Sequence, residues 1–242
     1  MSFRFQISLL LCFAINLLTP LLAQETARSL IGSIDGDSYV SATGAFRVNI
    51  PVLPELGGSI SDTDNVVTFQ DSFTTHQSIA CFKMDATQRW EEETRGRKEY
   101  LIWFFTNFVQ SDFQQRFPGA SIESAHFLPS LQSGTLLTYN LLPGGSMFAL
   151  KAEVFGKEDS PLAKRGNLVF IQDGFVYVIS IELAEKALER SSFNKTIAEE
   201  DAILRARLLG FLGKISFTAP TPVPAADAKS PAPSQPKDSP TK

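Results

Sequence analysis

Residues 167–183 read NLVFIQDGFVYVISIEL. Two apolar runs, 167–172 and 175–183, flank the pair Asp173-Gly174. An Asp-Gly pair in that setting fits a two-residue type I′ hairpin, because both central residues need positive φ. On the second run Val176, Val178 and Ser180 share one side, while Phe175, Tyr177, Ile179 and Ile181 share the other. Apolar residues on nearly both sides predict a central strand, buried on both faces. A sheet with such a strand needs a layer above and a layer below.

Working outward, the candidates for those layers are visible. Upstream, Ser121–Phe127, Thr135–Leu141 and Met147–Phe155 have period two and read as strands, with Pro143-Gly144-Gly145 as the turn between the last two. Before them, Lys98–Phe117 is the longest helical candidate. Ile102, Phe105, Val109, Phe113 and Phe117 line one face, and Leu101, Phe104 and Phe108 widen it. Pro118-Gly119 stops it. Near the start, Ala45–Ile50 alternates and is ended by Pro51 and Pro54, and Gly57-Gly58 makes a turn. Val66–Gln70 and Ser78–Met84 read as a hairpin, and Glu25–Tyr39 as a polar lead-in. Downstream, Thr196 and Glu199 have capping-box spacing ahead of a helix at Ile197–Gly213. Its stripe is Ile197, Leu204, Leu208, Phe211 and Ile215, with Arg205 and Arg207 facing away. The order of strands, long helix, antiparallel strands and helix predicts an α+β fold, an antiparallel sheet flanked by helices.

The two ends read differently. Met1–Ala23 has one positive charge, Arg4, an apolar run from Ile7 to Leu18, then Thr19-Pro20 and a small residue before a polar one. This is the layout of a secretory signal peptide, with a mature chain starting near Gln24 and a destination in the periplasm or outside the cell. The apolar run is short of the roughly 20 residues that span a bilayer. An uncleaved anchor is the alternative. From Thr218 the chain is TAPTPVPAADAKSPAPSQPKDSPTK, a Pro/Ala/Ser/Lys-rich segment with too little apolar surface to order itself. Gln24–Phe217 is then expected to form a single domain.

The chain carries −4; Arg4 and the tail each contribute +1, which leaves −6 on Gln24–Phe217. An acidic core without a basic stripe excludes nucleic acid and anionic lipid as natural partners. Cys12 leaves with the signal, so Cys81 is alone and no internal disulfide is expected.

Three motifs carry a likeness to a known fold. They are Gly44-Ala45-Phe46-Arg47-Val48-Asn49-Ile50-Pro51, the Asp173-Gly174 hairpin with Tyr177, and the closing Ile215-Ser216-Phe217. Together they resemble the PsbP-like fold, an α/β/α sandwich. The extrinsic protein of photosystem II, a Ran-binding import factor and several exported bacterial domains share it. The likeness runs from about Tyr39 to Phe217 and implies an adaptor or binding module. No tryptophan follows Pro51, where many members carry one.

Candidate chemistry is sparse. His76 and His126 have no metal-ligand spacing with each other or with Cys81. His76 falls in the loop Thr74–Gln77 and His126 near a strand end. Cys81 sits mid-strand, where a buried inert thiol is the default. Asp62-Thr63-Asp64-Asn65 lacks the glycine and distal glutamate of a calcium loop. Glu91-Glu92-Glu93 before Arg95, Arg97 and Lys98 is a solvated helix entrance. Ser192-Phe193-Asn194-Lys195 fits S-x-x-K without its companion motifs. No phosphate loop, dinucleotide fingerprint or nucleophile elbow is present. No cofactor and no metal are expected. The reading is a non-catalytic binding module for a protein or small molecule. Its surface is Pro54, Gly57, Gly58, Asp62 and Asp64 from one loop, with Pro143, Gly144 and Gly145 from another. An exported hydrolase using His76 or His126 is the alternative, and a structural envelope protein a further one.

Overall fold

The computed structural model describes residues 29–148 and 161–218. The expected signal peptide, the expected tail after Thr218 and the expected strand at Met147–Phe155 from residue 149 onward lie outside the described residues.

In chain order the strands are β1 (Ser33–Asp35), β2 (Ser38–Val40), β3 (Phe46–Asn49), β4 (Ser59–Asp62), β5 (Val66–Gln70) and β6 (His76–Lys83). The helices α1 (Ala86–Arg95), α2 (Arg97–Phe104) and α3 (Ser111–Arg116) follow, then β7 (Ser121–Leu128), β8 (Thr135–Leu142), β9 (Ala163–Gln172) and β10 (Phe175–Glu182). The chain closes with α4 (Ala184–Glu189), α5 (Ile197–Leu212) and β11 (Ile215–Phe217). Among the described residues seven strands form one sheet in the order β4-β5-β6-β10-β9-β8-β7, and four form a second, β1-β2-β3-β11. Every pairing is antiparallel. The fold is α+β, antiparallel sheets flanked by helices.

β10 lies at the middle of the large sheet, as its two-sided pattern predicts. Asp173 and Gly174 both have positive φ (51° and 79°), so the tight hairpin is of the expected kind. On one face Tyr177 is the hub of an aromatic cluster. Its ring stacks on Phe170 at 5.3 Å and meets Phe217 edge-on at 4.9 Å, and its hydroxyl donates to the Ala45 carbonyl at 3.2 Å. That face is covered by the small sheet and by Leu204, Leu208 and Phe211 of α5. On the other face Val176 and Val178 pack with Val169, Ile171 and Leu136 under Tyr100, Leu101, Phe104 and Phe105. The two terminal motifs of the resemblance pair directly, with Ile215 opposite Val48 and Phe217 opposite Phe46.

The long helix differs from its expectation. A first helix, α1, precedes it, started by a capping box of Asp85 and Gln88. A π-helical stretch, Phe105–Gln110, then separates α2 from α3. A π turn inserts an extra residue and rotates the following face. Leu101, Phe104 and Phe105 are buried, Phe108 is 48% exposed and Ile102 37%, and burial resumes at Gln110 and Phe113. The closing helix has its capping box, but Ile197 is exposed and Glu200 takes a buried place on the stripe. Arg207 does not face free solvent alone: it forms a forked pair with Glu185 at 2.6 and 3.0 Å. The expected lead-in instead holds β1 and most of β2, and β4 (SISD), whose apolar content is one Ile, adds a further short strand.

Two polar stitches hold the layers together. Asp62 of β4 accepts from the N–H groups of Ile31 and Gly32 (3.0 and 2.7 Å) and from the Tyr39 hydroxyl at 2.8 Å. Burial works against its charge, yet the bonds from Gly32, Ile31 and Tyr39 outweigh it and hold the carboxyl below its ordinary range. Lys164 of β9 is fully buried among Glu123, Glu200 at 3.0 Å and Asp201 at 2.6 Å, and Lys186 shares Glu200 at 2.5 Å. Removing that ammonium leaves three carboxylates crowded at the α5–sheet seam. Lys164→Met is therefore expected to lower stability in urea unfolding by about 3–5 kcal/mol, as loss of a buried partner does. A loss below about 1 kcal/mol, the range of exposed pairs, would show that the cluster is not a stitch.

Candidate functional site

The helix-facing side of the large sheet changes character along its strands. Near Asp173-Gly174 it is apolar and covered by α2. Toward the other end four strands each place two polar residues, two apart, on this face. They are His76 and Ser78 on β6, Ser180 and Glu182 on β10, Arg165 and Asn167 on β9, and Thr138 and Asn140 on β8. The register aligns them: Ser180 lies opposite both Ser78 and Asn167, Glu182 opposite Arg165, and Asn140 opposite Arg165. A polar belt thus crosses the buried middle of the molecule.

Half of the belt satisfies itself. Ser180 Oγ donates to Asn167 Oδ1 at 2.7 Å, Asn167 Nδ2 to Asn140 Oδ1 at 2.9 Å, and Asn140 Nδ2 to Gln110 Oε1 at 2.6 Å. Gln110 comes from the π stretch, and its Nε2 donates to the Ala120 carbonyl at 3.0 Å. The other half centres on Glu182, which is fully buried. Ser146 Oγ donates to its Oε1 at 2.6 Å, and the Met147 N–H to its Oε2 at 3.2 Å. Arg165 Nη2 reaches the same Oε2 at 3.5 Å and the Gly145 carbonyl at 3.0 Å. His76 Nδ1 stands 3.8 Å from Glu182, beyond hydrogen-bond distance. Burial first, and then the charge of Arg165, pushes the His76 pKa down to about 3, so its ring is neutral at physiological pH.

Beside the belt a groove of about 590 Å³ opens between the helix layer and β5–β6. Seven strands are wider than one helix. Phe69 and Ile79, which face the small sheet, are buried, whereas Thr68, Gln70 and Ser78, which face the helices, are half-exposed. The groove has a hydroxyl and amide floor of Thr68, Gln70, Ser78 and Ser180, and His76 and Arg165 at one end. Its wall is Phe104, Phe108, Val109 and Phe113, with Asp112 and Arg116 also lining it. The size suits a small molecule or a few residues of a peptide.

The residues expected from loop composition divide into two groups. Pro54 starts a helical turn, Pro54–Leu56, and Gly57 follows it with φ +70°. A Cβ on Gly58 would meet the Leu53 carbonyl oxygen at 2.5 Å. The Ser72 N–H donates to Leu56 O, and Ser59 pairs with Gln70, itself opposite His76, so Pro54, Gly57 and Gly58 belong to the His76 end of the sheet. Pro143, Gly144 and Gly145 lie at that same end, and Gly145 contacts Arg165 directly. Asp62 and Asp64 sit at the opposite end of β4, Asp62 as the sheet-to-sheet stitch described above.

Other candidates are also placed. His76 starts β6 and is buried rather than in an open loop; Asp71 Oδ1 gathers the N–H groups of Phe73, Thr74 and Thr75 and leaves Phe73 as the exposed tip. His126 is exposed on β7. Cys81 lies in the core beneath the small sheet, and burial pushes its thiol up to about 11, far from a thiolate at neutral pH. Ser192 Oγ donates to the Glu189 carbonyl. Among the described residues no three His, Cys, Asp or Glu side chains gather as metal ligands. The belt itself was missed in the sequence, although H-x-S, T-x-N, R-x-N and S-x-E recur inside otherwise apolar strands.

No protein-family model and no curated protein matches the chain. Several solved structures are similar in arrangement. Cyanobacterial PsbP (CyanoP) from Synechocystis sp. PCC 6803 is 12% identical, with 78% of this chain and 99% of that one covered and a TM-score of 0.45. The Ran-binding protein Mog1p of Saccharomyces cerevisiae is 13% identical, with 76% and 96% covered and a TM-score of 0.44. A protein of Bacteroides thetaiotaomicron VPI-5482 is 10% identical, with 76% and 49% covered and a TM-score of 0.38. These are similarities of arrangement, and at these identities and TM-scores they carry nothing further.

The buried neutral histidine has a measurable consequence. Its folded pKa of about 3 lies below the ordinary value near 6.5, so the unfolded chain takes up the proton first as pH falls. The stability tied to neutral His76 is whole above about pH 6.5 and is lost progressively toward pH 3. His76→Asn should flatten the fall in urea stability between pH 6.5 and 4.5 by up to about 1.4 kcal/mol per pH unit. Parallel pH profiles for the two proteins would show that His76 is not held neutral.

Proposed function

We propose that the chain is a non-catalytic binding module whose working surface is the groove beside the polar belt. The observation that carries this is the groove's lining, an apolar, largely aromatic wall facing a floor of hydroxyls and amides, and its own histidine is poorly suited to catalysis. A general base works best with a pKa near the operating pH, and a ring whose pKa is about 3 accepts a proton poorly. A hydrolase built on His76 would need that ring to take a proton from a nucleophile, and the buried Arg165 charge opposes it. What the groove offers instead is recognition: an aromatic wall, a floor of donors and acceptors, and side chains fixed by the network behind them. Pro54, Gly57, Gly58, Pro143, Gly144 and Gly145, at the His76 end of the sheet, are proposed as the loops that flank this surface. Asp62 and Asp64, at the far end, are proposed as structural. The module is further proposed to be exported, on the layout of Met1–Ala23. No described helix is long and apolar enough to cross a membrane.

A fragment set of small aromatic compounds, charged and uncharged, tests the groove by amide shifts in NMR. Shifts are expected at Thr68, Ser78, Phe108 and Ser180. Phe108→Glu should weaken them at least about tenfold with unchanged thermal melting, since the side chain is half-exposed. Shifts clustered elsewhere would remove the groove, and ester hydrolysis abolished by His76→Asn would replace binding by catalysis. N-terminal sequencing of protein recovered outside the cytoplasm should start near Gln24; a retained Met1 would overturn cleavage.

A further inference from the structure

We infer that the groove takes an amphipathic acid, with its carboxylate where Arg116 and Arg165 converge and its apolar body along Phe104, Phe108 and Val109. This rests on the groove being the binding surface and adds the chemistry of what enters it.

The two arginines reach the same end from different elements. The Arg165 guanidinium, from β9, stands 6.0 Å from the centre of the Phe113 ring. Arg116 follows Phe113 by three residues, which places it on the same side of α3, and both arginines line the groove. The acidic groups beside them are already engaged. Glu182 accepts from Ser146, Met147 and Arg165, and Asp112 accepts from Arg116 Nε at 2.9 Å. Donors are left over. Both terminal nitrogens of Arg116, an exposed side chain, make no hydrogen bond among the described residues.

A donor-rich, acceptor-poor end favours a ligand group that only accepts. A carboxylate is such a group, and its two oxygens match the guanidinium fork. An alcohol or a sugar carries donors of its own, which find few acceptors there. Away from the arginines the wall is apolar. Phe108 packs on Phe104 at 5.0 Å and meets Trp103 edge-on at 5.5 Å, which leaves a fixed, half-exposed aromatic face along the groove. At about 590 Å³ the groove is larger than a lone anion fills and has room for a chain or ring behind it.

Octanoate and 1-octanol share a chain and differ in the head group. Amide-shift titrations of the full chain with each, at pH 7, test the inference in wild type, Arg116→Ala and Phe108→Ala. Arg116 is exposed, so its removal does not threaten the fold. Octanoate is expected to bind in the groove about tenfold tighter than 1-octanol. Arg116→Ala should erase that advantage and leave 1-octanol unchanged, while Phe108→Ala should weaken both. Equal affinity for the two probes, octanoate shifts outside the groove, no binding of octanoate, or an unchanged advantage in Arg116→Ala would each overturn the acid assignment. The groove reading falls separately, only if the aromatic fragments also leave its residues unshifted.

Discussion

Everything in this molecule follows from a strand that has no solvent side. β10 carries Phe175, Tyr177, Ile179 and Ile181 on one face and Val176 and Val178 on the other, all buried. Each such side chain contributes about 1.5–3 kcal/mol only if it is covered. One face is therefore roofed by the small sheet and α5, and the other by α2 and the π stretch. Tyr177 shows how tightly the first roof is fitted, since its ring and hydroxyl touch β9, β11 and the backbone leading into β3 at once.

The second roof does not extend over the whole face, and the polar belt explains where it stops. A buried hydroxyl, amide or carboxylate costs free energy unless it is hydrogen-bonded. The belt meets that condition by linking β10, β9 and β8 to Gln110 and by surrounding Glu182 with Ser146, Met147 and Arg165. The π turn has a role here: its extra residue brings Gln110 inward and turns Phe108 outward. The same local distortion thus closes the network and supplies the exposed aromatic wall of the groove. Beyond it, the polar face of β4 and β5 needs no roof, and the groove is what remains.

Away from this site the layers are joined by charge. Asp62 ties the small sheet and the leading Ile31-Gly32 segment to β4, and Lys164 ties α5 and β7 to β9. Neither stitch touches the groove. Asp62 accepts three hydrogen bonds from within the chain, from Ile31, Gly32 and Tyr39.

Much of the fold was legible because it rests on short-range patterns. Asp173-Gly174 and its flanking runs specify a central hairpin, Thr196 and Glu199 specify a helix start, and alternation in AFRVNI specifies a half-buried strand. These depend on backbone conformation and on periods of two or 3.6, which a sequence carries locally. The strands β1, β2 and β4 were not legible, because three or four residues are too few to show an apolar period, and β1 and β4 are polar strands at sheet edges. The belt was half-legible: its polar pairs sit at spacing two in four separate strands, but nothing local says that they share one face and one level. That is set by the register of β6, β10, β9 and β8, a long-range property. The phase of the aromatic helix was likewise decided outside its own residues, where Gln110 had to reach Asn140. So the sequence determined the main strands, the central hairpin and the start of the closing helix. Tertiary structure alone decided which polar side chains meet, how far the helix layer reaches and where the groove lies, because those depend on pairing between residues far apart in the chain.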